Sequence, residues 1–191
     1  MSRYHDDRTS ASNPGGVRLS RSRLHRIWPL APGLIGRLSR FRGSSRQFEE
    51  MLDEHLRYGD ARAAVVMSID PLLVAAYSDD LDCVAMLQFP TSLAAMHGLS
   101  VGSRLLTINT YHPGHEVAQD LRPGPARSDM WVNVYPVIAE FLSDELQRIE
   151  SKKHDIDEVE WERCLMLGTQ YLSSPPVRVR DGSPYLSMNS A

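Results

Sequence analysis

The chain has 191 residues, 42% of them hydrophobic and 24% charged, with a formal net charge of −3. That is room for one domain with a substantial core, and the balance is that of a soluble globular protein rather than a disordered or membrane-spanning one. Only Cys83 and Cys164 occur, far apart, which excludes a disulfide scaffold and a zinc knuckle and makes a reducing cytoplasm the expected setting.

Charge is spread unevenly. Residues 1–46 carry ten arginines against Asp6 and Asp7, a balance of +8, whereas residues 47–191 carry eleven basic and 22 acidic residues, a balance of −11. The expected organisation is a basic, mostly disordered head over 1–43, a single domain over 44–172 and a loose tail over 173–191. In the head, Arg18, Arg21, Arg23, Arg26, Arg37, Arg40 and Arg42 form a basic arm suited to nucleic-acid phosphates. The same Arg- and Ser-rich, acid-poor composition also fits an organelle transit peptide, or upstream sequence without a role. Leu19, Leu24, Ile27 and Trp28 allow a turn or two of amphipathic helix within it. The apolar stretch IWPLAPGLIG at 27–36 is broken by Pro29, Pro32, Gly33 and Gly36 and makes a poor signal-peptide core.

Helical periodicity begins in SSRQFEEMLDEHLRYGD. Ser44 stands three residues before Gln47, a capping-box spacing, and Phe48, Met51, Leu52, His55 and Leu56 recur at helical intervals before Gly59. The spacing predicts a helix over 45–58 with His55 packed on the sheet. ARAAVVMS, LLVAAY and CVAMLQF then read as strands of an antiparallel meander, with Asp70-Pro71 turning the first pair and SDDLD at 78–82 the second. A calcium loop needs alternating acids, a glycine and a distant Glu between helices; SDDLD has neither glycine nor helical flanks, so it is a hairpin tip.

The strands are apolar at nearly every position, without the alternation of a sheet wet on one face. They predict an α+β fold: a small antiparallel sheet of about four strands, one helix before it and two after it, covered on both faces by helices or by a second copy in a homodimer.

In FPTSLAAMHGLSVGSRLLTINTY at 89–111, Thr91 or Ser92 caps a short helix that turns Leu93 and Met96 inward. Gly98 then ends the helix and RLLTINTY forms a strand. Phe89, Pro90, Leu93, Gly98, Leu99, Gly102 and Leu105 match in spacing the core of the AbrB-type swapped-hairpin regulators, which this stretch resembles. The resemblance implies a dimeric DNA-binding barrel. It covers some twenty residues, and Ala94 stands where those families carry a basic residue.

One polar constellation stands out, TYHPGHEVAQDLRPGPARSD at 110–129, a long proline-containing loop at a strand end. His112, His115 and Glu116 are the candidate ligands of a divalent metal, and Tyr111, Asp120, Arg122 and Arg127 the candidate walls of a pocket. The chain has no P-loop and no G-x-G-x-x-G.

The C-terminal half predicts one helix from Pro136 with Val137, Ile138, Phe141, Leu142, Glu145, Leu146 and Ile149 on its inner stripe. A second opens at Asp155 with Ile156, Val159, Cys164, Leu167 and Tyr171 inward and Trp161 sealing an edge. The leading expectation is a non-catalytic intracellular protein-interaction or regulatory module that needs no cofactor and binds a protein partner or itself. The alternatives are nucleic-acid binding through the Arg-rich head and an AbrB-like dimer, and a metal-dependent enzyme centred on the 111–127 loop.

Overall fold

The structure, a computed structural model, describes residues 11–27, 44–174 and 178–184. Six helices are seen among them: α1 (Arg21–Ile27), α2 (Ser44–Tyr58), α3 (Ser92–Met96), α4 (Ala139–Leu142), α5 (Leu146–His154) and α6 (Glu158–Ser173). The strands are β1 (Asp60–Ile69), β2 (Leu72–Ser78), β3 (Cys83–Phe89), β4 (Arg104–His112), β5 (Asn133–Ile138) and β6 (Arg180–Asp181). They lie in one sheet, ordered β5-β4-β1-β2-β3-β6, with β6 parallel to β3 and every other pairing antiparallel.

This corrects the expected small four-stranded antiparallel sheet: the sheet has six strands, is mixed, and curls into a half-barrel accompanied by six helices. The extra strands come from two places. Residues 133–138, the last three of which were expected to begin a long helix, are β5, paired with β4 from Thr107↔Ile138 to His112↔Asn133. Pro136 suits that edge position as well as a helical first turn, since proline supplies no N–H to a ladder. β6 comes from the segment expected to be a loose tail, and α1 from the expected head. The expected long helix is also split: Ser143 has extended backbone (φ −125°, ψ 144°), and its Oγ accepts the N–H of Glu145 before α5 begins.

β1, β2 and β3 form the meander, with a register shift between Val66 and Ser68 and a cis Asp70-Pro71 bond in the first turn. At the second turn Asp82 takes a positive φ of 45°. Its carboxylate accepts two N–H groups of Arg163 on α6 at 2.8 and 2.9 Å. Asp79 Oδ2 lies 2.5 Å from Arg62 Nη2. The acidic tip therefore ties the hairpin to its own chain.

α6 lies against one face. A Cβ added to Gly168 would stand 2.8 Å from Met67 Sδ and 2.9 Å from Ala75 Cβ, so the glycine lets the helix descend onto β1 and β2. The Cys164 thiol points to the Ala75 carbonyl at 3.4 Å. Successive strand residues face opposite ways, and Ala75 pairs with Met86, which puts Ala85 on the other face. There the 113–132 loop packs Leu121 with Leu81, Cys83, Ala85 and Val134. Phe141 of α4 meets the Phe89 ring edge-on at 4.9 Å. Asp157, rather than Asp155, caps α6, accepting the Val159 N–H at 2.9 Å. Met96 and Val159, expected to face inward, are exposed, while Trp161 is buried.

Two attachments close the molecule. Arg180 of β6 donates to Val134 O at 2.5 Å and to Asn133 Oδ1 at 2.9 Å, and grips Asp120 at 2.5 and 2.9 Å. Since β5 and β6 are opposite ends of the strand order, one guanidinium joins the two outer edges. At the other end, residues 11–27 lie as an arm along α2, β1 and α4. Gly15 N donates to Gly59 O, Ala61 N to Asn13 O and Ser20 N to Leu142 O, at 2.9, 2.7 and 2.7 Å. Val17, Leu24 and Ile27 are buried in the main core. Among the described residues no helix is long and apolar enough to cross a membrane.

Candidate functional site

The polar residues of the 110–129 loop are drawn to different places. Tyr111 turns its hydroxyl toward Ser78 and Asp79, each at 3.5 Å. His112, at the end of β4, is exposed, with its ring 6.5 Å from that of Tyr135, and His115 and Glu116 are exposed beyond it. Asp120 is taken by Arg180. Arg122 donates to Ser174 O at 3.0 Å and stacks 5.3 Å over Tyr171, and Arg127 stands 3.8 Å from Asp129. Among the described residues, no three His, Cys, Asp or Glu side chains are grouped to hold a metal ion.

The arginines of the arm divide similarly. Arg21 pairs with Glu49 at 2.7 Å, and Arg23 pairs with Asp144 at 2.5 Å and donates to Glu140 O at 2.6 Å. Arg18 and Arg26 are exposed. Arg37, Arg40 and Arg42 lie outside the described residues.

A buried charge network sits where β1 and β2 diverge. Arg62 reaches Asp60 at 2.7 Å, Asp79 at 2.5 Å and Glu160 at 3.8 Å, and donates to Ser12 Oγ at 2.7 Å. Burial works against its charge, but Asp60, Asp79 and Glu160 overcome this and hold its pKa above the usual value. Burial raises Asp60, Glu160 and Tyr111. Glu160 also accepts the Ala63 N–H at 2.7 Å, and so fastens α6 to the sheet. These contacts are internal ties.

Charged groups and open space coincide in a cavity of about 550 Å³ between the start of β4, α5 and α6. Its buried floor is Glu140, whose two carboxylate oxygens accept the Leu106 N–H at 3.1 and 3.0 Å, where β4 runs past the end of β5. Lys153 Nζ of α5 stands 3.5 Å from Glu140 and donates to Glu150 at 2.7 Å. Burial pushes the Glu140 carboxyl up to about 7, with Lys153 and the Leu106 N–H pulling the other way. Arg104 forms a two-pronged pair with Glu158, one contact at 2.9 Å, and lies 5.0 Å over the Trp161 ring. That hydrogen-bonded pairing holds Glu158 below and Arg104 above their usual values. His97, its ring 5.0 Å from that of Phe141, is held below the usual imidazole range by burial and by the charges of Arg23 and Arg26. Leu99, Leu105, Leu146 and Trp161 supply apolar wall.

The cavity thus brings together a buried carboxyl, an ammonium, an imidazole and an aromatic wall. Neither cysteine lines it, and burial raises both thiols, Cys83 to about 12. Comparison with family models, curated proteins and solved structures finds no match. Sequence reasoning passed over Glu140 because it stood inside a stretch read as one helix. Its mark is visible nonetheless: it is the only charge in the run VNVYPVIAEFL at 132–142.

Proposed function

We propose that this chain is a regulatory binding module whose small ligand enters the cavity between β4, α5 and α6. The observation that carries this is the pairing of buried Glu140 with Lys153 at the floor of an open cavity whose other charged and ring groups come from α5, β4, α6 and the turn after α3. The lining offers means of recognition, and its one hydroxyl, Ser103 Oγ, is engaged by the Ser100 N–H at 2.9 Å rather than by a histidine or carboxylate, which favours binding over bond-making chemistry. Because α6 and the 113–132 loop lie on opposite faces of the sheet, a second copy is not required to bury the strands.

Amide NMR of the full chain against a library of small polar fragments tests the reading. Perturbed amides clustering at His97–Leu105 and Leu146–His154, and losing their response in Leu146→Trp, support it. Leu146 is exposed at the rim, so the indole narrows the mouth without entering the core. Perturbations clustering elsewhere, or unaffected by Leu146→Trp, reject it.

A second reading, nucleic-acid binding with an AbrB-like turn, draws support from Arg18 and Arg26 being exposed on the folded arm. It also draws on Gly98 and Gly102 taking positive φ of 60° and 86° between α3 and β4. Replacing Arg18, Arg21 and Arg26 with Gln tests it better than deletion, since residues 11–27 contribute to the core. A salt-dependent DNA affinity that falls in the triple variant favours this reading; an unchanged affinity excludes it.

A further inference from the structure

We infer that the cavity selects a small zwitterion, an α-amino acid or a dipeptide carrying both an ammonium and a carboxylate. The inference rests on the binding-module reading above and adds the class of ligand. It follows from the way unlike charges are placed. Glu140 and Glu150 flank the Lys153 ammonium at 3.5 and 2.7 Å, so a lone anion meets two carboxylates and a lone cation meets an ammonium. Arg104 does not tip the balance, because Glu158 already holds it in a two-pronged pair. A ligand bearing both charges satisfies both sets. Its ammonium sits against Glu140 and Glu150, and its carboxylate takes the lysine N–H and the imidazole of His97. Leu99, Leu146 and Trp161 are left for an apolar side chain. A cavity of about 550 Å³ accommodates one residue or two.

The same geometry links binding to a proton. The groups facing Glu140 are Lys153, Glu150 and His154 from α5, Arg104 from β4 and His97 from the turn after α3, while Arg23 of α1 bonds its backbone carbonyl. Burial holds this carboxyl near neutrality, and an ammonium placed beside it favours the ionised form. Zwitterion binding around pH 7 therefore releases a proton and tightens as pH rises from 6 to 7, below the range in which a peptide's own ammonium is lost.

Calorimetric titration of the full chain with L-leucine, leucyl-leucine, 4-methylpentanoate and 3-methylbutylamine tests the inference. At least one zwitterion is expected to bind about tenfold or more tightly than either singly charged analogue. Which of the two does so separates a free amino acid from a peptide. Affinity should fall in Lys153→Met and in Glu150→Gln, the latter an exposed position that leaves the core intact, and the pH dependence should vanish in Glu140→Gln. Equal affinity for the acid or the amine overturns the charge pairing while leaving the cavity a binding site. Absence of heat from all four probes, with fragments still perturbing cavity amides, overturns the ligand class alone. Loss of both responses removes the binding-module reading as well.

Discussion

Glu140 and His55 are both buried and titrate in opposite senses. Glu140 rises from its ordinary value of 4.5 to about 7 on folding, so its favourable contribution is whole below about pH 4.5 and is lost as pH climbs through 7. His55 donates from Nε2 to Ile108 O at 2.8 Å, and burial lowers its pKa from 6.5 to about 4. Its contribution is present above pH 6.5 and is lost as pH falls through 4. Each shift corresponds to roughly 3 kcal/mol at full extent. Between pH 4.5 and 6.5 the two oppose each other, and the native protein should show a shallow stability profile there. His55→Gln, which keeps a donor for Ile108, should become more stable at pH 5 than at pH 7.5. Glu140→Gln, which leaves His55 unopposed, should become less stable at pH 5 than at pH 7.5. Urea unfolding at the two pH values measures both; profiles parallel to the native one in both variants would show that neither group is linked to folding.

At the scale of elements, α6 depends on one missing methyl. Gly168→Ala places a carbon under 3 Å from Met67 and Ala75, which must shift, at a cost of about 1–3 kcal/mol. A urea midpoint unchanged by this substitution would mean that α6 does not press on β1 and β2. β6 depends on charge instead: Arg180→Ala leaves the part-buried Asp120 without its partner and should cost roughly 3 kcal/mol. It should also expose residues 178–184 to protease ahead of the core, and equal cleavage rates in native and variant chains would contradict the bridge.

How far each element was legible follows from its physics. α2 lies where helical periodicity and capping agree, and the β1–β3 meander where short apolar runs are bounded by turn residues; Leu93 in α3 follows the same local logic. β5 was not legible, because VNVYPVI satisfies an edge strand and a helix start equally, and only the ladder offered by β4 decides between them. Glu140 was missed for the same reason. The loop histidines drew attention through composition, while the cavity groups are 97, 104, 140 and 153, gathered by topology across separate elements.

For the molecule as a whole, the arm is part of the fold. Residues 11–27 supply Val17, Leu24 and Ile27 to the core, although the composition of the head predicted disorder. A chain beginning at Ser44 should melt well below the full chain and bind dyes that seek exposed apolar surface. Equal melting temperatures would show that the arm is dispensable.

The arm's hydrogen-bonding partners also carry a consequence for synthesis. Ser20 seats on Leu142, Arg23 on Glu140 and Asp144, and Arg18 on Glu145, more than a hundred positions further along. As the polypeptide leaves the ribosome, the Arg18–Arg23 stretch must wait for these partners until more than a hundred further residues have emerged. Such long-range closure slows maturation. It leaves Leu24 and Ile27 open to chaperones or to wrong neighbours throughout that interval.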